Sequence, residues 1–403
     1  MNFRVSFFRR RGLASVAVLT VLLAAGCATA PERPQIQYTG DPIIDGNAEL
    51  AAAPKKDKIL WDYRIAASAL RVGNHAEAKA KLDDAISLMG GILANSADAK
   101  KARSLFSGED AKTYIGEPYE RCMAYYYRGL LYWQDGEPDN ARACYRSAQI
   151  IAADSEAEHY AVTWVLLNYL DGLASVKQGG DGSDAFKRAQ DNDTRRKLPA
   201  YNATNNVLVF AEYGTGPRKY AGGEYGEQLK FIVENSRAHS ARLMVDGKTV
   251  RLPTYDDVSF QATTRGGRVM DYILNNKAVF KRTTDTVGDV ALVGAAVAAD
   301  NIYGPNGQRS QGAETAAIAL AGVGLISKVF SSATTPKADT RTWDNLPQRL
   351  SFGSLQLPNG DYPAVVEFLD GGGHIIDDLT ENTTIHVAAQ EKDTVVFLSE
   401  LKR

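Results

Sequence analysis

The sequence predicts an α+β protein: an N-terminal helical repeat, then a β-sandwich-like domain carrying an Ala/Gly-rich helical insertion. Three observations predict it. Between Glu117 and Ala148, small and aromatic residues recur at helical spacing (Tyr125, Gly129, Tyr132, then Ala141, Tyr145, Ala148), and a similar pattern precedes it between Ile59 and Met89. After Asn192 the period shortens to brief apolar or alternating runs separated by turn dipeptides. Between Arg268 and Ser331, Ala and Gly dominate, with small residues at helical spacing.

The chain has 403 residues, 44% hydrophobic and 23% charged, which suits a soluble globular chain of two or three domains. Residues 1–26 carry Arg4, Arg9, Arg10 and Arg11 and no acid. The apolar run Gly12–Ala25 follows and is too short to span a bilayer. This is the pattern of a secretory signal peptide. Its ending, Leu23-Ala24-Ala25-Gly26-Cys27, resembles the lipobox of bacterial lipoproteins, although Leu stands four residues before the cysteine rather than three. The resemblance implies cleavage before Cys27 and acylation of its thiol and freed amine, giving stable anchoring. Ala28 in place of Asp resembles sorting to the outer membrane, facing the periplasm. Without the four arginines the net charge falls from −2 to −6, which argues against a nucleic-acid surface.

Residues 27–57 contain Pro31, Pro34, Pro42 and Pro54 and read as an extended tether. The helical part is expected over 58–192. Its first pair runs from Ile59 to Met89 and its central pair from Glu117 to Ala148, with Gly73 and Gly136 as matching turn residues. Gly90–Tyr114 is an atypical insertion, and a third pair is expected from Glu156 to Ala189, turning at Gly179–Gly182. In the central pair, Gly129 and Ala141 let two helix backbones approach while the tyrosines fill the surrounding space. Small-against-large packing at these offsets resembles a tetratricopeptide repeat, a helix pair that stacks on further pairs. In such a unit the first helix lines a groove. Tyr126, Leu130 and Trp133 share a face of that helix and are the candidate anchors for a partner peptide.

The β-rich part is expected over 193–403. Its strands are Val207–Phe210, Gln228–Val233, a hairpin at Ala241–Arg251 turning on Asp246-Gly247, Val258–Thr263, Arg349–Leu357, Tyr362–Leu369, Thr384–Ala388 and Thr394–Leu398. The insertion, about 268–331, holds two apolar stretches, Val287–Ala299 and Gly312–Phe330, expected to pack as helices on the sandwich rather than enter a membrane.

No motif for catalysis, metal or cofactor binding stands out. The five histidines are scattered and no Cys-x-x-Cys, nucleophile elbow or phosphate loop is present. Acid pairs such as Asp83-Asp84 and Asp256-Asp257 are expected in solvated faces and turns. Cys122 and Cys144 fall on opposed helices; a bridge and two buried thiols are both open, and buried thiols are preferred. Two stretches, Tyr114–Arg121 and Ala338–Pro347, together resemble a family of Gram-negative tetratricopeptide-repeat lipoproteins with no assigned activity. The second is expected to fix the chain's re-entry into the last strands, with Asp339 pairing Arg341 and Trp343 covering the end of the sandwich. The resemblance implies a non-enzymatic scaffold anchored through Cys27 and binding protein partners in the cell envelope. The alternative is an accessory of peptidoglycan synthesis.

Overall fold

The computed structural model describes residues 35–94, 112–153, 164–224, 226–264, 337–388 and 392–401. Cys27, the first 34 residues and the Ala/Gly-rich insertion lie outside the described residues.

The chain enters on α1 (Pro42–Ala52), whose N-cap Asp41 accepts hydrogen bonds from the Ile43 and Ile44 amides, followed by a 3-10 turn at Lys55–Asp57. The expected tether is therefore helical from Pro42 on. Pro42 and Pro54 sit where helices tolerate them, at the start of α1 and just before the turn. Three helix hairpins follow: α2 (Lys58–Arg71) with α3 (His75–Ala94), α4 (Pro118–Asp135) with α5 (Pro138–Ala152), and α6 (Val165–Lys177) with α7 (Ser183–Asn192). The central hairpin shows how the sequence builds them. Pro118 opens α4, and a capping box joins Glu117 and Glu120. Gly136 closes it at φ +85°, its amide donating to the Trp133 and Tyr132 carbonyls, and Pro138 opens α5. A Cβ on Gly129 would lie 2.5 Å from the Tyr145 ring, so this glycine sets the approach of α4 to α5.

Nine strands follow among the described residues. Seven form one sheet in the order β8-β7-β4-β5-β6-β1-β9, where β1 is Val207–Thr215, β4 Ser240–Val245, β5 Lys248–Asp257, β6 Pro347–Leu355, β7 Gly360–Leu369, β8 Glu381–Val387 and β9 Thr394–Ser399. All neighbours are antiparallel except β1 and β9. The sheet curls until its edge strands β8 and β9 come near each other, so a single nearly closed sheet replaces the two facing sheets of the expected sandwich. A register shift between Thr254 and Asp256, where β5 meets β6, helps it bend. The hairpin at Asp246-Gly247 is as expected, Asp246 taking φ +49°. β2 (Arg218–Gly222) and β3 (Gln228–Ile232) make a separate ribbon. Val258–Thr263, expected as a strand, lies in helix α8 (Val258–Thr264). Val258 and Ala262, one turn apart, are its buried apolar side chains, and a seven-residue stretch carries both periods equally well.

Strand β1 divides two cores. Val207, Val209, Ala211 and Tyr213 point into the curl of the sheet, with Leu243, Val366 and Leu398 among their neighbours. Leu208 and Phe210 point the other way, into a larger core shared with the helices. Helices and sheet therefore have one continuous apolar core between them. The first helix of each hairpin contacts the sheet: α2 and α4 meet β9, and α6 meets β5 and β6. The second helices, α3, α5 and α7, lie outside; on α5 only Ala141, Cys144, Tyr145, Ala148 and Ala152 are buried.

Candidate functional site

The face of α2, α4 and α6 that lines a groove in an open helical repeat is covered here by the sheet. Tyr126, Leu130 and Trp133 are at most 1% exposed. Tyr126 packs edge-on against Phe210 of β1, ring centres 6.4 Å apart, and Leu130 lies in the shared core. Trp133 packs on Tyr145 and donates from Nε1 to Asp393 Oδ2 at 2.9 Å; Asp393 also pairs with Lys177 Nζ at 2.6 Å. The expectation that these three anchor a partner peptide is corrected: the chain's own sheet takes the place of the partner. Their i, i+4, i+7 spacing correctly reports a shared apolar face, but spacing does not say what covers it.

The polar groups of this seam come from both sides. Glu120 of α4, fully buried, accepts from Lys219 Nζ at 2.5 Å, the Trp343 amide at 2.9 Å and the Glu117 amide at 2.7 Å. Lys219 is on the ribbon; its Nζ also donates to the Arg341 carbonyl at 2.9 Å and lies 5.4 Å and 5.8 Å from the ring centres of Tyr114 and Tyr119. Burial, followed by the charge of Glu120, pushes both phenols well above their ordinary range. The two stretches that carry the family resemblance, far apart in sequence, thus meet at one point. Asp339 pairs with Arg341 as expected, and Arg341 reaches on to Asp57 Oδ1 at 2.7 Å and to the Lys112 carbonyl at 2.9 Å. Trp343 does not cover the end of the sheet. It stacks on Tyr63 of α2, ring centres 4.4 Å apart.

A second knot centres on Glu212, in the middle of β1. Its side chain accepts from Arg71 Nε (2.6 Å), Tyr127 Oη (2.5 Å) and Ser399 Oγ (2.7 Å), joining α2, α4 and β9. The third is Asp256 of β5, expected in a solvated turn and found 3% exposed. Its two oxygens accept the amides of Val165 (3.0 Å) and Leu166 (2.7 Å) at the start of α6, satisfying donors that a helix N-terminus leaves open. Burial pushes this carboxyl up to about 7, with the two amides and then Arg196 pulling the other way.

Sequence reading passed over Glu212 and Lys219 and expected Asp256 in solvent. For Glu212 a signal existed: an acid inside the run VLVFAEYGT, in a strand buried on both faces, requires a buried partner. Lys219 and Asp256 had none. Cys122 and Cys144 are buried and not bridged to each other; the Cys122 thiol donates to the Ala148 carbonyl at 3.2 Å, and burial pushes Cys144 up to about 12. Among the described residues no group of three or more His, Cys, Asp or Glu side chains is placed to hold a metal ion. A shallow surface hollow of about 460 Å³ is lined by Arg237, Asp370 and Ile375–Asp378, where Arg237 and Asp378 pair through both guanidinium nitrogens at 2.7 and 2.8 Å.

The chain matches no family model, and neither a curated protein nor a solved structure is similar to it.

Proposed function

We propose that this chain is a lipid-anchored, non-enzymatic interaction scaffold of the Gram-negative envelope, held to the periplasmic face of the outer membrane through Cys27 and built on tetratricopeptide-type helix pairs. The observation that carries the reading is the N-terminal order of basic cluster, short apolar run and Leu23-Ala24-Ala25-Gly26-Cys27. Two features of the folded part support a scaffold. The buried side chains Glu120, Lys219, Glu212 and Asp256 all close contacts between helices and strands, a use that leaves them inaccessible to a substrate. The helices and the sheet share one apolar core, so the sheet fills the face that an open repeat would offer to a partner. Protein partners would then meet the outer helices α3, α5 and α7.

The test has two arms. Mass spectrometry of the chain isolated from membranes should find acyl chains on Cys27 as the first residue, and Cys27→Ser should block both processing and acylation. Crosslinking in intact envelopes should then capture partners through side chains on the outer helices. Recovery of mature chain beginning at an unmodified residue would defeat the anchoring half; crosslinks confined to the sheet's far edge would defeat the scaffold half.

A further inference from the structure

On the outer face of α5, α6 and α7 three arginines converge on a single carboxylate. Asp171, in the middle of α6 and almost fully buried, takes three arginines: Arg142 Nε and Arg146 Nε of α5 on Oδ1 at 2.9 and 3.1 Å, and Arg188 Nη2 of α7 on Oδ2 at 3.2 Å. Asn168, one turn earlier on α6, orients Arg188 by accepting from its Nε at 3.0 Å. One carboxylate thus faces three guanidinium groups, leaving a local charge of about +2. Arg142 and Arg146 use only Nε on protein acceptors. Among the described residues, their terminal nitrogens and Nη1 of Arg188 have none, and these side chains are 30%, 55% and 43% exposed.

Joining three helices through Asp171 needs one arginine from each flanking helix. Arg146, the most exposed of the three, shares an oxygen that Arg142 already occupies, so it adds repulsion and little stability. What it adds is a second outward-facing fork beside the first. Planar guanidinium forks held side by side match the oxygens of a phosphate group. A phosphate carries about −1.5 to −2 at neutral pH, which balances the excess charge where a single carboxylate does not.

We propose that Arg142, Arg146 and Arg188, held by Asp171 and Asn168, form a binding site for a phosphate group on the outer face of α5, α6 and α7. The phosphate comes from a soluble phosphate or from a lipid headgroup, and the site does not depend on how the chain is anchored.

The test uses the full chain in a non-ionic detergent at constant ionic strength, titrated separately with inorganic phosphate and with short-chain phosphatidic acid, and followed by phosphorus NMR and calorimetry. At least one probe should bind saturably, and Arg142→Gln/Arg146→Gln should weaken it about tenfold or more, the loss of one or two charge-assisted hydrogen bonds. Binding of inorganic phosphate assigns a soluble ligand; binding of phosphatidic acid alone assigns a headgroup. Arg146→Gln, at the most exposed position, keeps the test valid if the double variant fails to fold, and Arg146→Lys should recover only part of the affinity because it restores charge without the fork. Binding of neither probe, equal competition by acetate, or unchanged affinity in folded Arg146→Gln would overturn the proposal.

Discussion

Glu120 and Lys219 give the sharpest test of how the helices are joined to the β-rich part. Both side chains are at most 1% exposed and their charged atoms are 2.5 Å apart. Glu120→Gln keeps the shape and removes the charge: the Lys219 ammonium is left buried without a counter-charge, and the single amide oxygen cannot accept on both sides as the carboxylate does, from Lys219 on one and the Trp343 amide on the other. Removing one partner of a buried pair costs about 3–5 kcal/mol, a large fraction of a typical domain stability of about 5–15 kcal/mol. Lys219→Met should fall at the lower end of that range, near 3 kcal/mol, because Glu120 still accepts two backbone amides. The double variant should lose at least about 2 kcal/mol less than the two single losses added together, since neither charge is then stranded. Urea unfolding of the full-length chain, followed by tryptophan fluorescence and by far-ultraviolet circular dichroism, measures all three. Trp343, stacked on Tyr63 within the seam, contributes a local signal. Single losses under about 1 kcal/mol, or strict additivity in the double variant, would refute the coupling derived from the geometry. The shared core also requires the two probes to trace one transition; two separated transitions would show that helices and sheet unfold independently.

Three further outcomes follow from the same structure. Asp256 has a folded-state pKa of about 7 against 3.8 as its ordinary value, so the folded chain binds more protons between those limits. Its contribution should therefore fall as pH rises from about 4 to 7, by up to about 4 kcal/mol, and level off above; stability against pH should lose that slope in Asp256→Asn, and an unchanged slope would assign it to other groups. Trp133→Ala should destabilise the chain by about 3–5 kcal/mol, measured by thermal unfolding, because it empties a core site and removes the indole donor from Asp393 Oδ2; selective loss of one crosslinked partner at full stability would restore the groove reading. Gly129→Ala should cost about 1–3 kcal/mol in the same assay, since its methyl group would press on the Tyr145 ring, and Gly129→Ala/Tyr145→Phe should not recover it because the ring remains.

The elements themselves were legible because their signals are local. Gly136 between Asp135 and Pro138 marks a helix stop and start, and Asp246-Gly247 marks a hairpin, since backbone conformations of that kind depend on a few neighbouring residues. The small-against-large contact of Gly129 with Tyr145 was readable for the same reason. Residues 258–263 were misread because two turns of amphipathic helix and a short strand share one apolar pattern. Asp256 was misread because a solvated acid and a buried helix-capping acid have the same letter and the same neighbours.

The sequence by itself determined where the helices and most strands lie, and which faces of them are apolar, because periodicity records the side a residue presents. Only the tertiary structure decided what each apolar face meets. The face bearing Tyr126, Leu130 and Trp133 was fit for a partner peptide or for the chain's own sheet, and burial against Phe210 and Asp393 chose the sheet. The physical reason is that apolar burial is non-directional, so a stripe of side chains specifies that it will be covered without specifying by what. The choice rests with pairs such as Glu120 with Lys219 and Arg71 with Glu212, whose partners are more than ninety residues apart and meet only once the chain has folded.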